Sequence, residues 1–339
     1  DADRIGWLLG IAMWARLVAP WIGAWVDRTG RGPQLLPVLA AGVLATLLAF
    51  DRVDGFAALM VVSLGMGLCF APMLPLVDGL VLRASAEGRL DYGRVRLWGS
   101  LAFVAASVGA GVMLDDRPAT LVLTALQASA LFLVVSALRL PRADKSVAQP
   151  RAVPVLEVLR TPGVITFLAA TGCLNAGHAV LYGFATKHWL SIGIDETTIG
   201  WLWATGVFAE IALFAVGQRA LARLGPAGLL CCAAIGAALR WSALAIVEDP
   251  FALFALQILH AASFAALHLG AMSWIRATLG GAATQRATAL HVAVGGGLAL
   301  GFAMPAAGIL YEHFGGAAYH AMTLLALLGL VLALRLRVR

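Results

Sequence analysis

The 339-residue chain predicts an all-α, polytopic membrane protein. Three observations carry that expectation. First, 61% of its residues are hydrophobic and 12% are charged, against roughly 45–50% and about 25% in soluble domains; the mean hydropathy is +0.89. Second, the apolar residues gather into runs mostly near 20 residues, the length that crosses a bilayer as a helix. Third, the basic residues alternate with those runs. Eighteen of the 24 lysines and arginines fall on one alternating set of loops or on the C-terminal tail, four on the other set and two inside runs. The net charge of +6 therefore orients a chain in a membrane and does not mark a nucleic-acid surface. The four cysteines all lie in apolar runs, with neither metal-site spacing nor a disulfide framework.

The runs are read at 5–26, 35–50, 56–82, 95–114, 119–140, 162–187, 199–222, 227–247, 251–276, 286–310 and 317–336. That is eleven crossings. The basic tail from Arg335 places the C-terminus in the cytoplasm, so an odd count puts Asp1 outside.

Between the first two runs stands a charged hairpin, Gly23 to Arg31. Gly23 is read as a point of close helix approach, Asp27 as the residue that closes the first helix, and Gly30 as the turn. Arg28 and Arg31 sit where lipid head groups begin, and Pro33 interrupts the path before the second run. Within the first run, Trp7, Trp14, Trp21 and Trp25 form one stripe at about 100° per residue, which suits lipid. Arg16 lies opposite them and points into the bundle, as a cavity group or as half of a structural ion pair.

The third run ends near Asp78, and the fourth opens after Arg94 and Arg96. With Gly23, Asp27, Arg28, Gly30 and Arg31 these form a cytoplasmic charge cluster. It is read as a gate latch or, alternatively, as a topology determinant. Residues 140–160, with Pro141, Pro150, Pro154, Asp144 and Lys145, form the long polar connection, a linker between the segments 1–139 and 161–339. The loop at Ala222–Pro226 repeats the position of the Asp27 loop without its acid.

In the second segment the 162–187 run carries Thr171, Asn175, His178, Tyr182 and Thr186 on one arc. The 251–276 run carries Gln257, His260, Phe264 and His268 on another. Glu210 and Arg240 lie mid-span in neighbouring runs and are read as a facing pair. Ionisable groups in hydrocarbon cost several kcal/mol unless paired or wetted. The stripes therefore point to a shared, water-accessible cavity, or to hydrogen-bonding contacts between helices.

The hairpin reads G-x-x-x-D-R-x-G-R and resembles the loop signature between the second and third helices of the major facilitator superfamily. Further segments are similar to its phenylpropionate permease group, related to the lactose permease and the nucleoside symporters. They are Pro75–Asp78 (PLVD), Asp91–Ser100 (DYGRVRLWGS), Ile199–Phe214 (IGWLWATGVFAEIALF), Leu239–Trp241 (LRW) and Leu259–Leu269 (LHAASFAALHL). The resemblance implies two six-helix bundles related by a pseudo-two-fold axis. The eleven visible runs would be helices 2 to 12, and a first helix would precede Asp1.

It also implies a secondary active transporter of a small organic solute, such as an aromatic carboxylate, working by alternating access with protons. Arg16, Asn175, His178, Tyr182, Gln257, His260, Phe264 and His268 are the expected cavity residues. Arg16 would anchor an anion by a bidentate contact. Glu210, with Arg240 and His178, is the expected proton-coupling set. A sugar or nucleoside symporter and a non-transporting receptor stand as alternatives. No nucleotide-binding loop, H-E-x-x-H or G-x-S-x-G sequence is present, so an enzyme is not expected. Neither cofactor nor metal is expected. The expected partners are the lipid bilayer, the solute and protons, without nucleic acid, for a monomer in a bacterial inner membrane.

Overall fold

The computed structural model describes residues 1–140 and 153–336, apart from the Asp27 side chain. Among them it is helical, with no strand. Nine stretches are long and apolar enough to cross a membrane. Two are of double length, Glu196–Leu244 and Gly281–Ala333, at 49 and 53 residues. At 1.5 Å per residue each would reach beyond 70 Å, against a hydrocarbon core of about 30 Å. Both are broken by glycines of positive φ. Gly225 has φ 69° and ψ 173°, and Gly315 has φ 53°.

We number the crossings α1 (2–29), α2 (Gly32–Phe50), α3 (Phe56–Ala86), α4 (Tyr92–Leu114), α5 (Thr120–Leu138), α6 (Val164–Ser191), α7 (196–224), α8 (226–244), α9 (Pro250–Thr278), α10 (281–314) and α11 (Tyr319–Ala333). The packing on α9 shows that Gly225 reverses the chain. Along α9, a side chain added at Gly206 would touch His260 and one at Gly217 would touch Leu269. Arg240 meets His260, whereas Gly270 lies against Leu229. So α7 runs parallel to α9 and α8 runs antiparallel to it.

Helix interruptions follow the sequence. Pro20 has no N–H to offer the Arg16 carbonyl, and α1 tightens into a 3-10 turn at Ala15–Leu17. Pro72 breaks α3 between Phe70 and Met73. In α6 the helix stops at Ala176 and restarts at Ala179, across Gly177 and His178. Wider π turns occupy Ala261–Ala266 in α9 and Ala293–Ala299 in α10; such turns are rare and concentrate at functional sites. The sequence pattern predicted neither.

Two crossings join the N-terminal elements to the C-terminal ones through glycine. A β-carbon at Gly6 would come 2.5 Å from the Met304 carbonyl, and one at Gly308 2.5 Å from that of Ala2, which sets α1 on α10. The Ala2 amide also donates to the Glu312 carboxylate. A β-carbon at Gly111 would come 2.5 Å from the Glu196 carbonyl, and one at Gly200 2.5 Å from that of Ser107, which sets α4 on α7. Thr197 Oγ1 adds a 3.0 Å bond to Asp115. These contacts hold the two sets of elements together at the end of the molecule that holds Asp1 and Glu196. The opposite end keeps a cleft of about 410 Å³ lined by Gly23, Gly30, Arg83 and, from α10, Gln285.

The hairpin corrects three expectations. Gly23 is no close-approach site: a β-carbon there would meet nothing within 4 Å, because it borders this cleft. Asp27 does not close the helix, which runs to Thr29 and ends on Gly30 at φ 69°. Pro33 begins α2 within its first turn, where a missing N–H is harmless. Residues 141–152 of the expected linker and the tail arginines Arg337 and Arg339 lie outside the described residues. Val155–Arg160 is a short helix. Of the tryptophan stripe, Trp7, Trp21 and Trp25 are exposed. Trp14 shares the face of Trp7, 6.4 Å away, but Gly301 and Phe302 of α10 cover it.

Asp195 caps α7 through the Thr198 amide and hydroxyl, both at 2.7 Å. These bonds hold its carboxyl below the usual carboxylate range. A depressed folded-state value means that the cap contributes fully above the unfolded pKa and is lost as pH falls through the folded one. Asp195→Ala is expected to cost about 1 kcal/mol at neutral pH and less in acid, while Asp195→Asn retains most of the cap; thermal unfolding in detergent at two pH values measures this. The same assay separates the glycines. Gly111→Ala should lose about 1–3 kcal/mol to overpacking, and Gly23→Ala should melt with the parent.

Candidate functional site

The polar residues of the second segment converge at mid-membrane on Arg240 in α8, which is 1% exposed. Its Nη2 donates to Gln257 Oε1 at 2.5 Å, and its Nη1 to His260 Nδ1 at 3.0 Å and Ser263 Oγ at 3.1 Å. The guanidinium also stands 5.1 Å from the Trp241 ring centroid. All these partners are neutral when His260 is unprotonated. Arg240 can only donate, so His260 Nδ1 accepts and its ring proton sits on Nε2. Nε2 faces Glu210 Oε2 of α7 at 3.7 Å.

This arrangement corrects the expected Glu210–Arg240 pair. No direct ion pair joins them. His260 stands between, because α9 lies alongside both α7 and α8 and fills the gap with its imidazole. The result is a three-member chain: guanidinium, imidazole, carboxylate.

The break in α6 delivers His178 to the same place. Its Nδ1 donates to the Leu174 carbonyl at 2.9 Å, and its ring lies 5.3 Å from Tyr182, 5.0 Å from Trp241, 6.4 Å from His260 and 6.3 Å from Phe264. Phe264 stacks on His260 at 5.1 Å. Tyr182, hemmed in by these rings, is nevertheless 40% exposed. Its exposed ring edge marks a gap between the helices at this level. Five buried polar atoms of this cluster have no partner: Arg240 Nε, Gln257 Nε2, His178 Nε2, Trp241 Nε1 and Tyr319 Oη.

A second polar layer lies on the α10 π turn. Arg16 Nη1 reaches the Gly296 carbonyl at a long 3.5 Å, and Asn175 Nδ2 donates to the Thr171 carbonyl at 2.7 Å. Side chains on the α10 glycines would collide with them: a β-carbon at Gly295 would come 2.8 Å from Asn175 Nδ2, and one at Gly296 2.9 Å from Arg16 Nη1. The triple glycine is thus a seat for these two residues. Beneath it, Thr171 Oγ1 bonds His291 Nδ1 at 3.1 Å.

Of the other expected residues, His268 lies apart from the Arg240 cluster, 6.1 Å from Phe214, and Thr186 accepts from Trp203 Nε1 at 3.1 Å. Arg96 pairs with Asp78 at 3.5 Å. Gly111 opposes Glu196 and Ser107 opposes Gly200, and that register brings Arg96 to the level of Glu210. Arg94 contributes its amide to the Asp91 cap. Arg28 is exposed, and so is Arg31. The Asp27 side chain, central to the expected latch, lies outside the described residues. Sequence reasoning missed Ser263, Trp241, His291 and Tyr319. Ser263 and His291 each fall off the arcs that drew attention, and the two aromatics resemble ordinary lipid-facing residues in sequence. Among the described residues no cluster of His, Cys, Asp and Glu could hold a metal ion.

A family model described as the MFS_1 like family matches residues 1–322. The chain belongs to that family. It is 33% identical over 334 residues to the probable 3-phenylpropionic acid transporter of Escherichia coli (strain K12), covering 96% of this chain and 86% of that protein. It is 27% identical to the maltose permease of Geobacillus stearothermophilus, covering 99% of this chain and 86% of the relative. The crystal structure of nucleoside transporter NupG superposes with a TM-score of 0.83 at 16% identity, covering 98% of this chain and 89% of that one. The fold is therefore the major facilitator fold, and the chain is a multi-pass membrane transporter of a bacterial transporter family.

A π turn arises from one extra residue in an α-helix. Deleting Ala262 should restore an ordinary helix with both flanks of α9 in register. We expect folding to survive, by gel-filtration profile and melting temperature, while transport falls at least tenfold as His260 and Ser263 shift on Arg240. Deleting Ala255, outside the π turn, rotates the remainder of α9 by about 100° and should abolish folding.

Proposed function

We propose that this chain is a proton-coupled symporter of a small organic solute, an aromatic carboxylate being the class its 33%-identical relative suggests. The observation that carries the reading is the chain Arg240–His260–Glu210, set mid-membrane near the exposed ring of Tyr182. An ionisable group there is expensive unless it serves transport. Glu210 is the proton carrier: it contacts a histidine that Arg240 holds in one tautomer.

The joined Asp1 end and the open cleft at the Arg28 end support an inward-facing state, with the cleft and the C-terminus on the cytoplasmic side of a bacterial inner membrane. In alternating access the two segments, 1–139 and 161–339, rock about the site as two bundles. The glycine crossings part when the outer side opens. The Asp78–Arg96 pair and the Asp27 loop form the inner gate. The carrier works as a monomer.

Glu210→Gln mimics the protonated side chain with little change of shape. It should retain exchange of preloaded solute while losing proton-driven accumulation. Uptake in proteoliposomes across a panel of aromatic acids, maltose and nucleosides measures both. Concentrative uptake by the variant would place the proton site elsewhere, with His178 the next candidate.

A further inference from the structure

The Arg240 cluster holds more positive charge and more hydrogen-bond donors than it uses. Arg240 is wholly buried, and among the described residues it touches no carboxylate. Its Nε and the Gln257 amide Nε2 are buried donors without acceptors. Arg16 has one long contact to a carbonyl. Tyr182 packs 5.3 Å from His178, which itself lies 5.0 Å from Trp241 beside Arg240, and its ring is 40% exposed.

The remaining titratable and charged groups packed around Arg240 and Tyr182 add no compensation. From α6 comes His178, with Nδ1 spent on Leu174. From α9 come His260, with Nδ1 spent on Arg240, and the more distant His268. From α11 comes the Tyr319 hydroxyl. On the α3 and α4 side, Asp78 and Arg96 cancel each other. Two cations therefore stand around one anion, Arg240 wholly buried among them. A buried cation without a counter-charge is costly, and a carboxylate is the acceptor that orphaned guanidinium and amide donors fit.

We propose that the solute is carried as a monoanion seated beside Tyr182 between Arg16 and Arg240, and that the proton on Glu210 balances it, so that transport is electroneutral. This rests on the proton-symport reading above. With Glu210 ionised, the empty site holds two guanidiniums and one carboxylate. Loading adds one proton to Glu210 and one anion beside Tyr182, so the net charge of the moving carrier is unchanged. Ionised Glu210 repels the arriving anion and protonated Glu210 does not. Proton and solute therefore favour each other's binding, and reciprocally so. A neutral sugar would leave the loaded carrier one charge more positive than the empty one, and the membrane potential would then drive it.

The test uses the full chain in proteoliposomes with 3-phenylpropionate as probe. A pH gradient, acid outside, should drive uptake. A potassium diffusion potential of either sign, set with valinomycin at equal pH, should change the rate less than twofold. In detergent, raising pH from 6 to 8 should weaken binding at least tenfold for the parent and less than twofold for Glu210→Gln, and Arg16→Gln should weaken it at least tenfold at pH 6. Uptake driven by the pH gradient and also accelerated several-fold by an inside-negative potential would overturn electroneutrality and leave the symport reading standing. Uptake indifferent to the pH gradient would sink the symport reading itself. No binding of the probe by either parent or Glu210→Gln would show that the cavity is not an anion site, and the proposal would fail.

Discussion

The burial of one guanidinium without a carboxylate constrains the C-terminal half. Arg240 cannot shed its proton in practice, so the surrounding helices must supply acceptors from neutral groups. They do so from α9, through Gln257, His260 and Ser263. That requirement fixes the face of α9 turned to α8. It also fixes the tautomer of His260, and hence which ring nitrogen meets Glu210 on α7. Three helices are thereby tied by one side chain, and the tie ends on a group that can take or release a proton.

The same logic explains the irregular backbone. Regular helices satisfy their own amides and carbonyls, which is why they cross membranes at all. Three departures from that rule border the polar cluster: the break at Gly177 and His178, the π turn Ala261–Ala266, and the π turn Ala293–Ala299 whose glycines seat Arg16 and Asn175. Irregular backbone beside a cavity is how transporters of several folds build sites at the membrane midplane.

Much of this was legible in the sequence. Hydropathy and charge placed all eleven crossings, with boundaries off by up to five residues, as where α10 starts at 281 rather than 286 and where Pro33 opens α2 rather than standing before it. Arg240, His260, Glu210, His178 and Tyr182 were legible because polar residues in apolar runs stand out. Their pairing was not. Depth along two helices says that Glu210 and Arg240 lie at similar heights, but not that a third helix inserts an imidazole between them. Helical arcs drawn at 100° per residue also fail where a π turn changes the pitch, which is why the role of Ser263 went unseen. Gly23 failed for a different reason: a glycine in a membrane helix can mark close packing or an open cleft, and only the neighbouring helices decide.

The central claim is that solute and proton meet through Glu210. Calorimetric titration of the full chain with 3-phenylpropionate, in buffers of different ionisation enthalpy, counts the protons taken up on binding. Near pH 8 the account predicts uptake approaching one proton per bound solute in the parent and none in Glu210→Gln. Binding without proton uptake in the parent, or undiminished uptake in the variant, would contradict it.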